Sequence, residues 1–479
     1  MSGNGVTSSK LPLRPVPGSY GPPILGPLID RLNYFWFQGP AKFFTARMNE
    51  HKSTVFRTNM PPGPPGFCND PRVVMLLDAK SFAVLFDNET VKKRNVFTGT
   101  FMPSVRFNGG YRVLPYLDPS EVQHTKLKGL CFELLKTGGP RFIPEFHSTM
   151  KEAWETIEKQ IADKKASEFN DLKEQTIFNF LCRSMVGKDP REGPDGLGND
   201  GPGLADKWVL FQVAPVVSPG LPHIIEELFL HSFRLPSVFV NEDHDRLYGF
   251  FNTHASGILD VAETRYDQTR SEACENLMFF VVFNSYFGFS ALLPSIIKYV
   301  GAAGAGLHKD LAMEVRTAVQ ANGGHVSLSA VESMELVKST IYEVLRMEPP
   351  VVLQYGRAKR DFVLESHDAA FEIKKGELLG GFQPIATRDP KVFENPDEFV
   401  ATRFIENKKV IKYVLWSNGF ETDDPTVHNK QCPGKNLVVL VARLFVVELF
   451  LRYDTFEVEV KGSGTSSKIS FTSLTKATY

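Results

Sequence analysis

The spacing of apolar residues divides the chain into a long helical body and shorter β-like stretches. From about Glu121 to Arg346 apolar residues recur at helical intervals, with loops expected at 188–203 and 214–222. Ahead of this body, Ser53 to Arg57 alternates like a strand. The apolar run from Pro71 to Leu77 is expected to begin a helix. The pattern therefore predicts a mostly helical protein.

The pattern changes after Pro349, where short strand-like runs replace helical periodicity. Phe362 to Glu365 and Phe371 to Ile373 are two such runs, separated by a turn. A long apolar helix follows Cys432, and the tail from Phe456 alternates as a strand would. A mainly α protein with a small β region fits this order better than a doubly wound sheet.

The distribution of Pro and Gly predicts how the chain is divided. No long linker and no repeat of fixed period interrupts its 479 residues. The polar segment 1–10 is expected to be a disordered N-terminus. Leu11 to Gly26 is rich in Pro and Gly and should be extended. We predict a single domain over residues 11–479.

One apolar stretch, Asn276 to Ile297, contains no charged residue and resembles a membrane span in hydropathy. Asn284, Ser285 and Pro294 interrupt it, and no belt of Trp and Tyr flanks it. A buried central helix is therefore the favoured prediction. Because residues 1–10 show neither a signal core nor an Arg-rich transit pattern, a cytoplasmic or peripheral-membrane location is expected.

Composition narrows the class of function. The formal net charge is −1 and the pI about 6.8, so no basic excess matches a nucleic-acid backbone. Apolar residues make up 42% of the chain and include 39 Phe, enough for a large core and a pocket for an apolar ligand. The five cysteines form no Cys-x-x-Cys pair, which disfavours zinc and indicates a reducing compartment.

Three signals that bear on chemistry follow one another in the C-terminal third. Glu343 and Arg346 are spaced to share one helix face and can pair. Arg403 follows a turn and offers a second guanidinium. Cys432 precedes Pro-Gly and a long apolar helix, whose N-terminal amides stabilise a thiolate. Gly434 would let the backbone come close to a flat cofactor.

In this order and spacing the residues resemble the cytochrome P-450 enzymes. The resemblance implies the cytochrome P-450 fold, haem b with Cys432 as its axial thiolate, and a buried structural triad of Glu343, Arg346 and Arg403. Two features depart from ordinary members. His428 and Lys430 replace the usual Gly and Arg before the cysteine, and Asn284-Ser-Tyr replaces the acid–alcohol pair that delivers protons to dioxygen.

Both departures are typical of the plant branch that metabolises fatty-acid hydroperoxides, namely allene oxide synthases, hydroperoxide lyases, divinyl ether synthases and epoxyalcohol synthases. The similarity extends along most of the chain. It includes Pro17-Gly-Ser-Tyr-Gly21, Asn59-Met-Pro-Pro-Gly63, Tyr116-Leu-Asp-Pro-Ser120, Glu365-Ser-His-Asp-Ala369 and Trp416-Ser-Asn-Gly419. Since such substrates already contain the O–O bond, the resemblance implies that neither dioxygen, NADPH nor a reductase is needed.

Within that branch the resemblance assigns catalytic roles to three residues. Phe97 matches the position where allene oxide synthases carry Phe and lyases commonly Leu, and its ring face would stabilise positive charge on the substrate carbon. Composition alone would favour Phe97 as core packing. Asn284 would orient the hydroperoxide, with core packing again the alternative, and Ser285 matches the synthase pattern. Phe287 replaces the usual Gly and would narrow the pocket.

The resemblance also offers candidates for binding the two haem propionates. These are Lys93, His124, Lys128 and Lys430. His124 and Lys128 are four residues apart on a predicted helix and can point the same way. Residue type alone would place each of the four on the surface.

Three functions remain in competition. The first is an allene oxide synthase, a hydroperoxide dehydratase that acts on polyunsaturated fatty-acid hydroperoxides in oxylipin or jasmonate-type biosynthesis. The second is a hydroperoxide lyase or epoxyalcohol synthase, favoured if Phe287 dominates. The third, from another class, is a haem-binding structural protein of lipid particles. Family analogy adds a plastid location and a lipid-surface association. The preference for the 9- or 13-hydroperoxide is not readable from the sequence.

Overall fold

Helices dominate the computed structural model, which describes residues 10–64, 70–462 and 467–478. In the first half, the α-helices are α1 (Leu25–Leu32), α2 (Pro40–His51), α3 (Ala79–Phe82), α4 (Val122–Lys164), α5 (Phe169–Leu181), α6 (Gly201–Val213), α7 (His223–Ile225) and α8 (Asn241–His254). In the second half they are α9 (Ser256–Tyr266), α10 (Arg270–Met278), α11 (Phe287–Ala321), α12 (Leu328–Glu332), α13 (Glu335–Met347), α14 (Gln383–Ala386), α15 (Arg403–Glu406) and α16 (Lys435–Arg452).

Several helices continue into π-helical turns, in which the backbone bonds skip one residue more than in an α-helix. These segments are Asn33–Phe37, Cys182–Val186, Glu226–His231 and Phe279–Tyr286. Short 3₁₀ segments are Ala83–Phe86, Val105–Asn108, Leu114–Tyr116, Ala214–Val216, Ser237–Val240 and Lys408–Tyr413. The π segment Phe279–Tyr286 joins α10 to α11 and is the one that bears on function.

The strands form small sheets at the edge of the helical body. They are β1 (Leu13–Arg14), β2 (Val55–Asn59), β3 (Arg72–Leu76), β4 (Val91–Lys92), β5 (Ser167–Glu168), β6 (Leu353–Ala358), β7 (Phe362–Glu365), β8 (Ala370–Ile373), β9 (Leu378–Phe382), β10 (Leu415–Trp416), β11 (Gly419–Phe420), β12 (Tyr453–Lys461) and β13 (Lys468–Lys476). The largest sheet has the order β2-β3-β9-β6-β4, with β3 and β9 parallel. The others are β1-β8-β7, β12-β13-β5 and the pair β10-β11.

The predicted mainly α architecture with a small β region is confirmed, and so are the C-terminal strands and the helix after Cys432. One prediction is wrong. The run from Pro71 to Leu77 forms strand β3 rather than the start of a helix, because β2 and β9 pair with it on both sides and bury it. The predicted loop at 188–203 ends early, since α6 begins at Gly201 with Pro202 in its first turn.

The four helices that carry the candidate site pack against one another in the main core. Helix α11 contacts α13 and α16, and α16 contacts α4. One helical stretch of the described chain, Arg270–Ala321, is long and apolar enough to cross a membrane, and 61% of its apolar window is buried inside the protein. Leu292, Leu293 and Ile296 are among its fully packed residues, as the prediction of a buried central helix requires.

Two predictions concern the ends and the cysteines. Residues 1–9 of the predicted disordered N-terminus lie outside the described residues, so the division into a disordered start and a single domain over 11–479 stays a prediction. Leu11 to Gly26 is extended as expected, although α1 already begins at Leu25. Four cysteines within the described ranges (Cys131, Cys182, Cys274 and Cys432) are free thiols.

Candidate functional site

Cys432 lies in the loop between β11 and α16, just before the helix begins at Lys435. Its N–H donates to the carbonyl of Ser417 at 3.0 Å, and its own carbonyl accepts from the Lys435 N–H at 3.3 Å. The Gly434 N–H donates to the sulfur. The sulfur therefore faces the free amides at a helix N-terminus, where negative charge is stabilised.

The Cys432 thiol differs from the other described cysteines in its accessibility. Cys131, Cys182 and Cys274 are buried, whereas Cys432 is only partly so. A Cβ at Gly434 would lie 3.8 Å from the Cys432 sulfur and 3.8 Å from the Phe280 ring of the π segment. Burial raises the pKa of the Cys432 thiol, opposed by the Gly434 N–H and the Lys128 charge. A bound metal cation would lower the pKa of this thiol and hold it as the thiolate.

Basic side chains from distant parts of the chain are buried close to this loop. Lys93, His124 and Lys128 are at most 2% exposed. Burial lowers the pKa of Lys93 to about 7 and that of Lys128 to about 8. Burial, Lys430 and Lys128 lower the pKa of His124 to about 3. The pKa of Lys430 is lowered by burial and by the charges of Lys128 and Lys93. The alternative expectation, a surface position, is therefore wrong for Lys93, His124 and Lys128, whereas Lys430 is partly buried.

These basic groups reach backbone oxygens from the loops around them. The Lys430 ammonium donates to the carbonyls of Leu114 and Leu117 at 2.8 and 2.7 Å. The Lys93 ammonium donates to the Tyr355 carbonyl at 2.7 Å. The Lys128 ammonium donates to the carbonyl and the side-chain oxygen of Asn429 at 2.5 and 3.0 Å. The His124 Nδ1 atom is buried and has no partner among the described residues.

A haem b group fits this set of donors. The charges of Lys128 and Lys430 act on His124, and those of Lys128 and Lys93 act on Lys430. Asp118 is a nearby carboxylate for Lys93, His124 and Lys430, and Glu121 also acts on Lys430. Buried cations of like sign repel one another, and anions placed among them remove the repulsion. The two propionates of haem would supply such anions, and one of them would accept from the unpartnered Nδ1 of His124. Cys432 would supply the axial sulfur.

The π segment Phe279–Tyr286 presents Asn284 toward open space. Phe279 and Tyr286 are buried at its two ends, whereas the Asn284 side chain is exposed and bonds to no other described side chain or backbone group. Asn284 is therefore not a packed core amide, which was the alternative expectation. The Ser285 hydroxyl donates to the Phe280 carbonyl at 2.9 Å, a bond inside the segment. π-Helical turns occur frequently at functional sites.

Phe97 lies in the turn after β4 and belongs to an aromatic wall next to the π segment. Its ring centroid is 5.7 Å from that of Phe283, 5.9 Å from Tyr116 and 6.2 Å from Phe279, in tilted or edge-on arrangements. Phe279 and Phe283 stack at 4.3 Å. Phe97 is only partly buried, so part of its ring is not covered by these neighbours. The structure thus brings Phe97 and the segment of Asn284 together.

Phe287 extends this wall by one helical turn. Its ring lies 6.5 Å from Phe283 and 5.1 Å from Tyr286, and it is partly buried. A glycine at this position would leave that volume free. That Phe287 narrows the pocket beside Asn284 stays a prediction.

Glu343, Arg346 and Arg403 meet in a buried network away from the sulfur. Glu343 and Arg346 pair through two bonds of 2.7 and 2.8 Å, and Arg403 bonds both Glu343 oxygens at 2.9 and 3.0 Å. The guanidinium of Arg346 also donates to the carbonyls of Thr387 and Pro396. The two guanidinium groups share the Glu343 carboxylate, and their other N–H groups donate to backbone carbonyls. The network therefore specifies how the segment before α15 lies on α13.

Two residues of the aromatic wall, Tyr116 and Phe279, have no role predicted from the sequence. Phe279 precedes Phe283 by one helical turn, so helical spacing could have placed both on the same face. Tyr116 stands in a loop whose position depends on the Lys430 bonds to Leu114 and Leu117. Its place beside Phe97 is set by these long-range contacts, which no local pattern reveals.

Comparison with known proteins agrees with this geometry. A family model, cytochrome P-450, matches residues 306–474. The chloroplastic allene oxide synthase of Linum usitatissimum is 53% identical over 471 residues, which cover 98% of this chain and 87% of that protein. The chloroplastic allene oxide synthase 1 of Solanum lycopersicum is 53% identical over 99% of this chain and 88% of its own length.

A third relative is similar over almost all of both chains. Allene oxide synthase 2 of Oryza sativa subsp. japonica is 51% identical over 98% of this chain and 97% of its own length. Identity at this level over the whole length confirms the cytochrome P-450 fold expected from the sequence. The chain belongs to the allene oxide synthase branch of the cytochrome P-450 family.

Proposed function

We propose that this protein is an allene oxide synthase, a lyase that removes water from polyunsaturated fatty-acid hydroperoxides. The observation that carries the proposal is the joint presence of a haem-thiolate donor set and a π segment with an exposed amide at Asn284. Identity of 50–53% to allene oxide synthases from several plants supports the same activity. The product, an allene oxide, belongs to oxylipin biosynthesis.

Haem b is the cofactor; Cys432 would supply its thiolate ligand, and Lys93, His124, Lys128 and Lys430 would hold its propionates. When bound, it supplies one-electron cleavage of the peroxide O–O bond. The basic groups hold the cofactor by charge-assisted bonds, which are stronger than neutral ones. The reaction neither gains nor loses electrons overall, since a hydroperoxide becomes an epoxide and water. No reductase, NADPH or dioxygen is therefore required.

Asn284 orients the substrate. Its amide carries both donors and an acceptor, so it can bond the hydroperoxide group in one fixed direction. The Ser285 hydroxyl is already committed to the Phe280 carbonyl. Ser285 therefore supports the shape of the segment, while Asn284 touches the substrate. Orientation of this kind supplies a large part of catalytic rate in many enzymes.

Phe97 decides what becomes of the substrate carbon after the O–O bond is cleaved. The alkoxyl radical closes to an epoxide and leaves a radical on the neighbouring carbon. That carbon would return one electron to the cofactor, which the O–O cleavage has oxidised, and the face of an aromatic ring would stabilise the resulting positive charge. Loss of a proton to the hydroxide released from the peroxide would then yield the allene oxide and water. The surrounding rings of Tyr116, Phe279 and Phe283 exclude water that would otherwise capture the cation.

We also propose that the protein associates peripherally with a lipid surface, from which an apolar substrate would enter. Two neighbouring segments, α1 with its π turn and residues 221–239, contact each other through a Phe35–His231 stack at 4.0 Å. Both segments expose large apolar side chains, each more than half accessible. Examples are Ile24, Ile29, Phe37, Ile224, Phe229 and Phe239. Exposed apolar side chains on two contacting segments are typical of membrane interaction sites.

The names of several relatives place them in the chloroplast, and a plastid location is proposed for this protein on that basis. Flotation with plastid-lipid vesicles tests the surface association. The wild type should float with the vesicles, and Phe229→Glu together with Phe239→Glu should not. Flotation of the double variant equal to that of the wild type would contradict this part of the proposal.

Product analysis tests the enzymatic proposal. The purified haem protein is given the 9- and 13-hydroperoxides of linoleic and linolenic acid without NADPH, under argon. We expect rapid consumption of at least one isomer and formation of ketols, the hydrolysis products of allene oxides, seen by mass spectrometry. Short-chain aldehydes as the main product would identify a hydroperoxide lyase, and epoxyalcohols an epoxyalcohol synthase. Absence of turnover with both isomers would leave only a binding role.

A further inference from the structure

Tyr286 ends the π segment on the side opposite to Asn284. The two residues are two positions apart, so their side chains leave the helix in nearly opposite directions. Asn284 is exposed, whereas Tyr286 is 1% exposed. The Tyr286 ring meets Phe178 of α5 edge-on, with centroids 5.9 Å apart. Tyr286 therefore anchors the back of the segment whose front carries the amide.

The Tyr286 hydroxyl donates to the Asp206 carboxylate of α6, with an Oη–Oδ1 distance of 3.1 Å. Burial and the negative charge of Asp206 raise the pKa of Tyr286, so the phenol remains a donor throughout the physiological range. Asp206 is partly buried and forms no ion pair among the described residues. This hydrogen bond joins the site segment to α6, alongside an edge-on ring contact of Trp208 with Phe279 at 6.2 Å.

The surroundings of Asp206 contain few other charges. From α5, Glu174 repels the Asp206 carboxylate and Lys173 attracts it, and these two residues also pair with each other at 3.7 Å. On α6 itself the next residue, Lys207, is turned away and bonds Asp243 of α8. Burial, with Glu174, raises the pKa of Asp206 to about 6. Its charge therefore changes within the range in which the enzyme can be assayed.

We propose that Tyr286 and Asp206 are a positioning pair that holds the π segment, and with it the Asn284 amide, in the orientation that the substrate needs. This inference rests on the proposed role of Asn284. The bond is charge-assisted while Asp206 is ionised and becomes an ordinary neutral bond when the carboxyl is protonated. Loosening the bond lets the segment move, and small displacements of an orienting group reduce rate steeply.

The pair makes opposite predictions for rate and for stability. Because the folded pKa of Asp206 lies above its unfolded value, the folded state binds more protons between about pH 4 and pH 6. Ionised Asp206 therefore lowers stability at neutral pH. A carboxylate that reduces stability is easier to explain by a role in positioning than by a role in folding.

The experiment measures kcat and KM for hydroperoxide consumption from pH 5 to pH 8 in the full-length haem protein. The variants are Tyr286→Phe and Asp206→Asn. Tyr453→Phe is the matched control, because it also removes a phenol that donates to a carboxylate, that of Glu158, at 2.6 Å. Tyr453 lies in β12, outside the segments that form the site. Thermal unfolding midpoints of all four proteins accompany the kinetics.

We expect the wild-type kcat to fall as pH is lowered through about 6. Tyr286→Phe and Asp206→Asn should each lower kcat at neutral pH about 5- to 10-fold, with little change in KM. In both variants the decrease of kcat near pH 6 should be absent. Asp206→Asn should also keep or raise the unfolding midpoint. Tyr453→Phe should lower the midpoint and leave kcat and its pH profile unchanged.

Two outcomes would overturn the proposal. One is a wild-type kcat and pH profile in Asp206→Asn, which would leave Tyr286 as a packing residue. The other is a loss of kcat in both variants with the decrease near pH 6 retained, because that decrease would then arise elsewhere. Since peroxide consumption is common to every enzyme of this branch, a wild type that makes other products would contradict the proposed function but not this test.

Discussion

Replacement of Phe97 by leucine should redirect the products without stopping turnover. Peroxide cleavage is assigned to the cofactor and Asn284 rather than to the Phe97 ring. The substituted leucine keeps bulk and apolarity but offers no ring face to a carbon that loses an electron. The radical then lives longer and can undergo chain scission or recapture hydroxyl. Short aldehydes or epoxyalcohols should therefore increase at the expense of ketols.

The surroundings of Phe97 set the expected size of two effects, the change in product ratio and the loss of stability. Stabilisation of positive charge by one ring is about 0.5–2 kcal/mol, so the product ratio should change about 2- to 30-fold. Phe97 has three ring neighbours at 5.7–6.2 Å, in tilted or edge-on geometry. At about 0.5 kcal/mol for each contact of a partly exposed ring, the free energy of unfolding should fall by about 1.5 kcal/mol.

The assay compares product ratios at equal substrate consumption, by mass spectrometry, alongside the haem spectrum. Phe471→Leu is the matched control. Phe471 has ring contacts to Trp154, Phe169 and Phe456 at 5.7–6.0 Å, in the β12-β13 sheet rather than beside Asn284. The control should lose at least as much stability as Phe97→Leu and keep the wild-type products.

An unchanged ratio in Phe97→Leu, with haem content intact, would refute the reasoning. Phe97 would then be packing alone, and its assignment as the residue that favours synthase over lyase chemistry would be wrong. An equal change in the Phe471 control would show that product choice follows general loosening of the protein rather than loss of one ring face.

Three further perturbations follow from the same geometry. Asn284→Gln moves the amide by one methylene and should lower kcat about 100-fold with the haem spectrum unchanged; wild-type turnover would exclude an orienting role. Phe287→Ala removes a ring from the aromatic wall and should alter the ratio of kcat/KM between the 9- and 13-hydroperoxides about 10-fold or more, the lower end of the effect of one methylene in an apolar pocket; an identical ratio would exclude Phe287 from the pocket. In the haem-free protein, the free energy of unfolding in urea should increase as pH is raised above about 7. The reason is that Lys93 loses its proton at about pH 7 in the folded state and at about pH 10.4 in the unfolded state. The same increase with haem bound would contradict propionate binding by Lys93.

The regular parts of the fold were predictable from local pattern. The helical body, the strands Phe362–Glu365 and Ala370–Ile373, and the helix after Cys432 all follow from apolar periodicity. Strand β3 was not predictable, because a short apolar run after Pro71 fits the spacing of a helix as well as that of a strand. Its strand conformation is decided by pairing with β2 and with the distant β9.

The sequence supplied candidate residues for the site but not its shape. Motif order pointed to Cys432 and to the buried ion-pair network, and family positions proposed Phe97 and Asn284, whose catalytic roles stay predictions. The π-helical turn was not predictable, because one extra residue per turn leaves the apolar pattern almost unchanged. Burial of Lys93 and Lys128 was not predictable either, since lysine is almost never fully buried unless it is paired. Their burial depends on loops from three distant segments that converge beside α4.

The central claim, that Cys432 holds a haem which cleaves hydroperoxides without external electrons, is tested most directly by one substitution. Cys432→Ser and wild type are reconstituted with haem b, and the absorption spectrum is recorded with hydroperoxide turnover under argon, without NADPH. We predict that the wild type shows a thiolate-haem spectrum and rapid turnover, and that the variant loses both together. A variant that kept the wild-type spectrum, or full turnover without it, would contradict the assignment of Cys432 as the ligand.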